Sequence, residues 1–154
     1  MAKRNRIKPG DVLKIDLGNG SFAFARALDE PYFAFYDVNL KTDGELDVDE
    51  LLAAGTVIFK LAVMKGAALR WEKHGHHSLP PELKSPIAFF RQDAMNGKFF
   101  LHVDGVETPS TFAECEHLER AAVWEPEHVE DRLRDYFSGV PNAWVESLRP
   151  VPPS

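Results

Sequence analysis

Cysteine is nearly missing from this chain: Cys115 is the single one among 154 residues. No internal disulfide can form, which excludes the small stapled secreted folds and suits a reducing compartment. Long apolar runs are missing too, none approaching the roughly 18 residues of a bilayer span. The basic start MAKRNRIKPGD has no apolar stretch behind it of the kind a secretory signal needs. Together these absences lead to the expectation of a soluble, cytoplasmic protein. Positive charge is in short supply as well: 18 Lys and Arg stand against 24 Asp and Glu, a net charge of −6. Such a molecule repels a phosphate backbone at long range, which argues against nucleic acid as its main ligand.

What is present is apolar bulk, 44% hydrophobic residues with 11 Phe. That suffices for one core, so the expectation is a single domain over 1–154, ordered over about 7–149 with flexible ends at 1–6 and 150–154. The charge is blocked along the chain. Residues 1–28 carry six bases and two acids, and 29–55 carry one base and eight acids. Residues 56–103 then carry seven bases and three acids, and 104–154 carry four bases and eleven acids. Blocks of this kind can build an acidic face.

The segment KPGDVLKIDLGNGSFAFARAL reads as turn, strand, turn, strand, with Gly18-Asn19-Gly20 dividing a hairpin. Alternation sets Phe22, Phe24 and Arg26 on one side of the second strand and Ala23, Ala25 and Ala27 on the other. YFAFYDV is a third strand, and TVIFKLAVM a central one buried on both faces. Between them Asp47 or Asp49 can cap a short helical turn that ends at Gly55. A second hairpin joins 87–91 to 98–103 through Asn96-Gly97. Thr111 and Glu114 have capping-box spacing, and the chain after them can turn extended before Trp124. PEHVEDRLRDYFSG is the clearest helix, with Pro126 in its first turn, Gly139 as its stop, and an apolar stripe of Val129, Leu133, Tyr136 and Phe137. The fold class expected is α+β. A bent antiparallel sheet of five or six strands, an SH3-like half barrel being one form of it, carries the 126–138 helix.

Chemistry is sparse. KHGHHS holds His74, His76 and His77 around Gly75, but a transition-metal site needs ligands converging from separate rigid segments. The stretch therefore reads as an exposed histidine-rich turn. A metal-dependent hydrolase built on those three histidines is the enzyme rival. Cys115 with His117 lacks a third catalytic group, no G-x-S-x-G elbow occurs, and GNG is too short to cradle a phosphate. Acid pairs such as Glu130/Asp131 read as solvated charge, and Glu130 with Arg134 as an ordinary surface pair. No catalytic residue, metal or cofactor is expected. The basic arm Lys3, Arg4, Arg6 and Lys8 leaves open a small binding module for a peptide or nucleic acid.

The opening segment resembles the motif of the bacterial immunity protein 26 family. Gly10, Asp11, Val12, Ile15, Leu17, Gly20, Phe22, Phe24 and Arg26 hold the motif places. Trp71 and Gly75 in RWEKHG, the FFRQD segment, and Leu118, Glu119, Trp124, His128, Val129, Arg132 and Leu133 extend the similarity over about 7–149. Asp16 departs from it where proline is common, and His74 where an aliphatic residue is expected. The resemblance implies a small α+β immunity protein of a polymorphic or contact-dependent toxin system. It would bind the cognate toxin's C-terminal domain and block it stoichiometrically, without catalysis. Steering of a basic toxin by acidic blocks, around a few buried anchors, is the physical counterpart. The candidate contact residues are Asp43, Glu45, Asp47, Asp49, Glu50, Glu127, Glu130 and Asp131, with Tyr36 and Trp71 as aromatic anchors.

Overall fold

The computed structural model describes residues 6–41 and 47–153. Its centre is an open sheet of six strands in the order β5 (Glu72–His76), β1 (Asp11–Asp16), β2 (Ser21–Ala27), β3 (Tyr32–Lys41), β4 (Val57–Val63) and β9 (Val123–Trp124). Alternating apolar residues and glycine turns produce the three-strand meander β1 (Asp11–Asp16), β2 (Ser21–Ala27) and β3 (Tyr32–Lys41). At the first turn Asp16 and Asn19 side chains accept backbone N–H groups, while Gly18 and Gly20 take positive φ. Helix α1 (Val48–Ala54), capped by Asp47, leads into β4 (Val57–Val63), which pairs antiparallel with β3 and is followed by the short helix α2 (Ala67–Arg70).

The sheet's two faces have different coverings. Leu13, Ile15, Ala23, Ala25, Ala27, Phe33, Phe35, Phe59, Leu61 and Val63 form the main core, closed by Trp71, Trp124, Val129 and Leu133. The last two lie on α5 (Pro126–Ser138), so the expected helix packs on the sheet as its apolar spacing requires. Gly139 at φ 70 ends it by donating to the carbonyls of Asp135 and Tyr136. The opposite face presents Val12, Phe24 and Tyr36 to α1, and Ala34 to Leu83 of the short helix α3 (Pro81–Lys84). Methyl-sized residues on β2 allow the close approach on the core side, and the rings go to the other.

A second antiparallel sheet holds β6 (Phe89–Gln92), β7 (Phe99–Val103) and β8 (Val106–Ser110). The Asp93 carboxylate accepts the amides of Met95 and Asn96, and Gly97 at φ 73 completes the expected turn. Thr111 caps α4 (Phe112–Cys115), and β9 (Val123–Trp124) follows as the sheet's parallel edge beside β4. A last helix, α6 (Ala143–Ser147), is capped by Asn142. Val151 near the end is paired with Gln92 in both directions.

Four local expectations change. The sheet is open, in keeping with the α+β class expected, but its edge strand β9 joins in parallel where an antiparallel sheet was expected. The histidine stretch is not a surface turn: 72–76 forms the edge strand β5 (Glu72–His76), paired with β1 through a bulge. Gly75 serves there as an inter-element contact, since a Cβ would come within 2.9 Å of Val48 Cγ2. Tyr136 leaves the apolar stripe and stands exposed. Glu130 and Arg134 do not pair, because each is taken by partners outside the helical ladder or on its other face.

Candidate functional site

Asp11 opens β1 wholly buried, a costly place for a carboxylate unless it is fully partnered. Its partners are the Lys8 amide at 3.0 Å, His76 Nδ1 at 2.8 Å and Lys73 Nζ at 3.4 Å. Burial pushes the carboxyl up, but these hydrogen bonds and the Lys73 charge outweigh it and hold Asp11 below the usual carboxylate range. The remaining histidines go elsewhere. The His74 ring sits 5.7 Å from that of Phe24, and His77 Nε2 lies 3.7 Å from Asp49. The three imidazoles diverge, and the described residues hold no group of three or more His, Cys, Asp or Glu side chains placed for a metal.

Arg26, only 2% exposed, fastens the same corner. Its Nε donates to the Gly10 carbonyl at 3.1 Å, and Nη2 donates to the carbonyls of His77 and Ser78 at 2.8 and 2.9 Å. Nη1 donates to the Tyr36 hydroxyl at 3.2 Å. Gly10 must lack a side chain: it has φ +98, and a Cβ would stand 2.4 Å from the His77 carbonyl oxygen. Beside this corner a cavity of about 790 Å³ opens between the sheet, α1 and α3, lined by Arg26, Tyr36, Val57, Lys60, His77 and Leu83 among others.

On the core face, Glu130 is buried and accepts from Arg70 at 2.6 and 3.0 Å and from Trp71 Nε1 at 3.0 Å. Arg132 makes a two-pronged pair with Glu119 and lies over the rings of Phe59 and Trp124. These contacts attach α5 to the rest of the molecule.

A family model described as Immunity protein 26 matches residues 8–101. The chain belongs to the immunity protein 26 family. No curated protein and no solved structure matches it. The matched stretch runs from before β1 through most of β7, and carries Gly10, Asp11, Gly20, Phe22, Phe24, Arg26, Trp71 and Gly75. Trp124 and Arg132, which the resemblance includes, lie beyond it. Membership makes this an immunity protein, and the family implies a toxin protein as partner. Within this family member the motif residues are mostly framework. Gly10, Asp11 and Arg26 seat β1 against β5, Phe24 and Trp71 fill cores, and Phe22 lies under the Lys14 ammonium.

The candidate contact residues fall into separate groups. Asp43 and Glu45 lie outside the described residues, as do Lys3 and Arg4 of the basic arm. Asp47, Asp49 and Glu50 are exposed on and beside α1, on the face opposite α5. Tyr36 and Trp71 are each 3% exposed and belong to the interior, as does Glu130. Glu127 and Asp131 stay at the surface of α5. Next to them stands a residue the sequence reading passed over. Trp144 on α6 is 40% exposed, its ring stacked on His128 at 3.7 Å and its Nε1 donating to Asp131 at 3.3 Å. The signal for it was Asn142 before Ala-Trp-Val-Glu, a capped turn after Pro141. Burial pushes the Asp131 carboxyl up, but the hydrogen bonds from Arg134 and Trp144, with the Arg134 charge, outweigh it and hold the group below its usual range. The described residues contain no helix long and apolar enough to cross a membrane.

Proposed function

We propose that this immunity protein binds and neutralises a cognate bacterial toxin domain by direct, stoichiometric, non-catalytic association, through the outer face of α5 and α6. The observation that carries the choice of surface is Trp144. An exposed indole normally costs solubility, yet this one is held in a fixed orientation between His128 and Asp131. Tight protein interfaces rest on such preorganised aromatic anchors inside a polar rim. The rim here is acidic: apart from the buried Glu130, α5 carries Glu127, Asp131 and Asp135 against Arg134, Arg132 being turned inward onto Phe59 and Trp124. Glu127 and Asp131 remain as contacts in this reading, with Trp144 as the anchor in place of Trp71 and Tyr36. The acidic group Asp47, Asp49 and Glu50 serves steering of a basic toxin more than docking, because it faces the other way.

The test is co-expression with the toxin domain encoded beside it. A one-to-one complex that survives size-exclusion chromatography, together with restored growth of the toxin-expressing host, is the expected result. Free elution of both proteins and continued killing would refute the reading.

A further inference from the structure

We propose that the cavity between the sheet, α1 and α3 binds a small organic oxyanion, a carboxylate or phosphate monoester, through Arg26, Tyr36 and Lys60. The strand register builds it: Arg26 on β2 faces Ala34 on β3, and Ala34 faces Lys60 on β4. Two cationic residues therefore stand in one cross-strand row, about 10 Å apart at two strand spacings. Ala34 between them is buried under Leu83, which lines the cavity with Arg26 and Lys60. Tyr36, two residues further along β3, lines the same cavity.

Arg26, like Arg120, differs from most of the arginines: Arg120 meets only the carbonyls of Leu148 and Arg149 and the Phe90 ring. Arg70, Arg91, Arg132, Arg134 and Arg149 each meet a carboxylate. Arg26 is more deeply buried than any of these and meets only carbonyls and a phenol among the described residues. A guanidinium carries five N–H donors, and four are assigned here, leaving one on Nη1 beside the Tyr36 oxygen. The Tyr36 hydroxyl accepts from Arg26, so its own proton is free for an incoming acceptor. Lys60 makes no ion pair among the described residues. A buried cation without a counter-charge is costly, and an oxyanion seated on these three donors removes that cost.

The cavity also specifies the rest of the ligand. Leu52, Val57, Pro80 and Leu83 supply an apolar wall, and about 790 Å³ lies in the range of small-molecule sites, about 300–1,000 Å³. This is room for an anion with an apolar body, more than a single protein carboxylate would fill. Glu82 lines the cavity and Asp49 stands at His77, so acidic groups near the opening disfavour a second charge on the body.

Calorimetric titration of the full chain in phosphate-free buffer at constant ionic strength tests this, with phenyl phosphate, benzoate, inorganic phosphate and benzyl alcohol as probes. Saturable binding of phenyl phosphate or benzoate, stronger than that of inorganic phosphate and absent for benzyl alcohol, is expected, and the stronger of the two aromatic anions identifies the headgroup. Lys60→Ala and Tyr36→Phe should each weaken it about tenfold, as loss of one hydrogen bond to a charged group does. Arg26→Ala is avoided because Arg26 also ties β1 to β5. The proposal fails if neither aromatic anion binds, if benzyl alcohol binds as well, or if both variants, shown folded by circular dichroism, bind like the parent. The α5–α6 surface lies on the other face of the sheet, so toxin binding and this site stand or fall separately.

Discussion

Asp11 and His76 are 65 positions apart in the chain and 2.8 Å apart in the fold. Through this contact the buried carboxylate at the start of β1 is locked to the end of the edge strand β5, with Lys73 on the same carboxylate. Asp11 has its carboxyl held below the ordinary value of 3.8, so its contribution to stability is complete above that pH and fades as pH falls through the lower, folded value. Asp11→Asn should therefore lower stability at pH 7 by about 1–3 kcal/mol, the usual cost of spoiling buried charged hydrogen bonds. The difference from the parent should narrow below about pH 3.8. Urea unfolding of both proteins at pH 7 and pH 3 measures it, and a gap unchanged between the two would contradict the assignment.

Two glycines of the same corner should respond differently to a methyl group. At Gly75 the obstacle is the Val48 side chain, which can be cut back. Gly75→Ala should destabilise by about 1–3 kcal/mol, as overpacking does, and Val48→Ala in the same chain should recover part of the loss. At Gly10 the obstacle is the backbone oxygen of His77, and φ is +98, so no single second substitution should rescue Gly10→Ala. Thermal unfolding of the three variants, Gly75→Ala, Gly75→Ala with Val48→Ala, and Gly10→Ala, distinguishes the two cases.

Glu130 reads as a helix-surface acid in sequence but acts as the buried acceptor for Trp71 and Arg70. Glu130→Ala should leave the Trp71 N–H without its acceptor and cost about 1–3 kcal/mol. A matching change in tryptophan emission is expected, because one of three tryptophans loses its partner. Glu127→Ala, the same residue type three positions earlier on the helix, is exposed and should change unfolding by less than about 0.5 kcal/mol.

For the toxin complex, Trp144→Ala should leave the melting temperature nearly unchanged while raising the dissociation constant by about 30-fold or more, as loss of a hot-spot aromatic does. Reversing Asp49 and Glu50 to lysine should instead slow association and weaken its salt dependence, with a smaller effect on dissociation. Surface plasmon resonance separates the two rates. Equal affinity for the Trp144→Ala protein would move the interface off α6.

Much of the fold was legible in the chain. Helix α5 begins at Pro126 and ends before Gly139 because φ restriction and left-handed freedom act locally. The β1–β2 turn and the Asn96-Gly97 turn are local for the same reason. Strand β5 was not legible. Glu-Lys-His-Gly-His has no strand alternation and gains its pairing from β1, which also brings in Asp11. Strand β8, nearly all exposed and containing Pro109, had no apolar pattern to announce it. The same limit applied to the site: aromatic content suggested Tyr36 and Trp71 as anchors, whereas burial reserved both for the interior and left Trp144 outside.

By itself the sequence determined the α+β class, the immunity protein 26 motif, the turns and the main helix, since each rests on the conformational preference of a few neighbouring residues. Only the tertiary structure decided which charges are spent and which are available. Glu130 and Asp11 are consumed by partners 59 and 65 positions away, and Arg26 is left buried beside a cavity without a carboxylate. Those outcomes depend on strand register and on desolvation, which arise when distant segments meet and have no local trace in the chain.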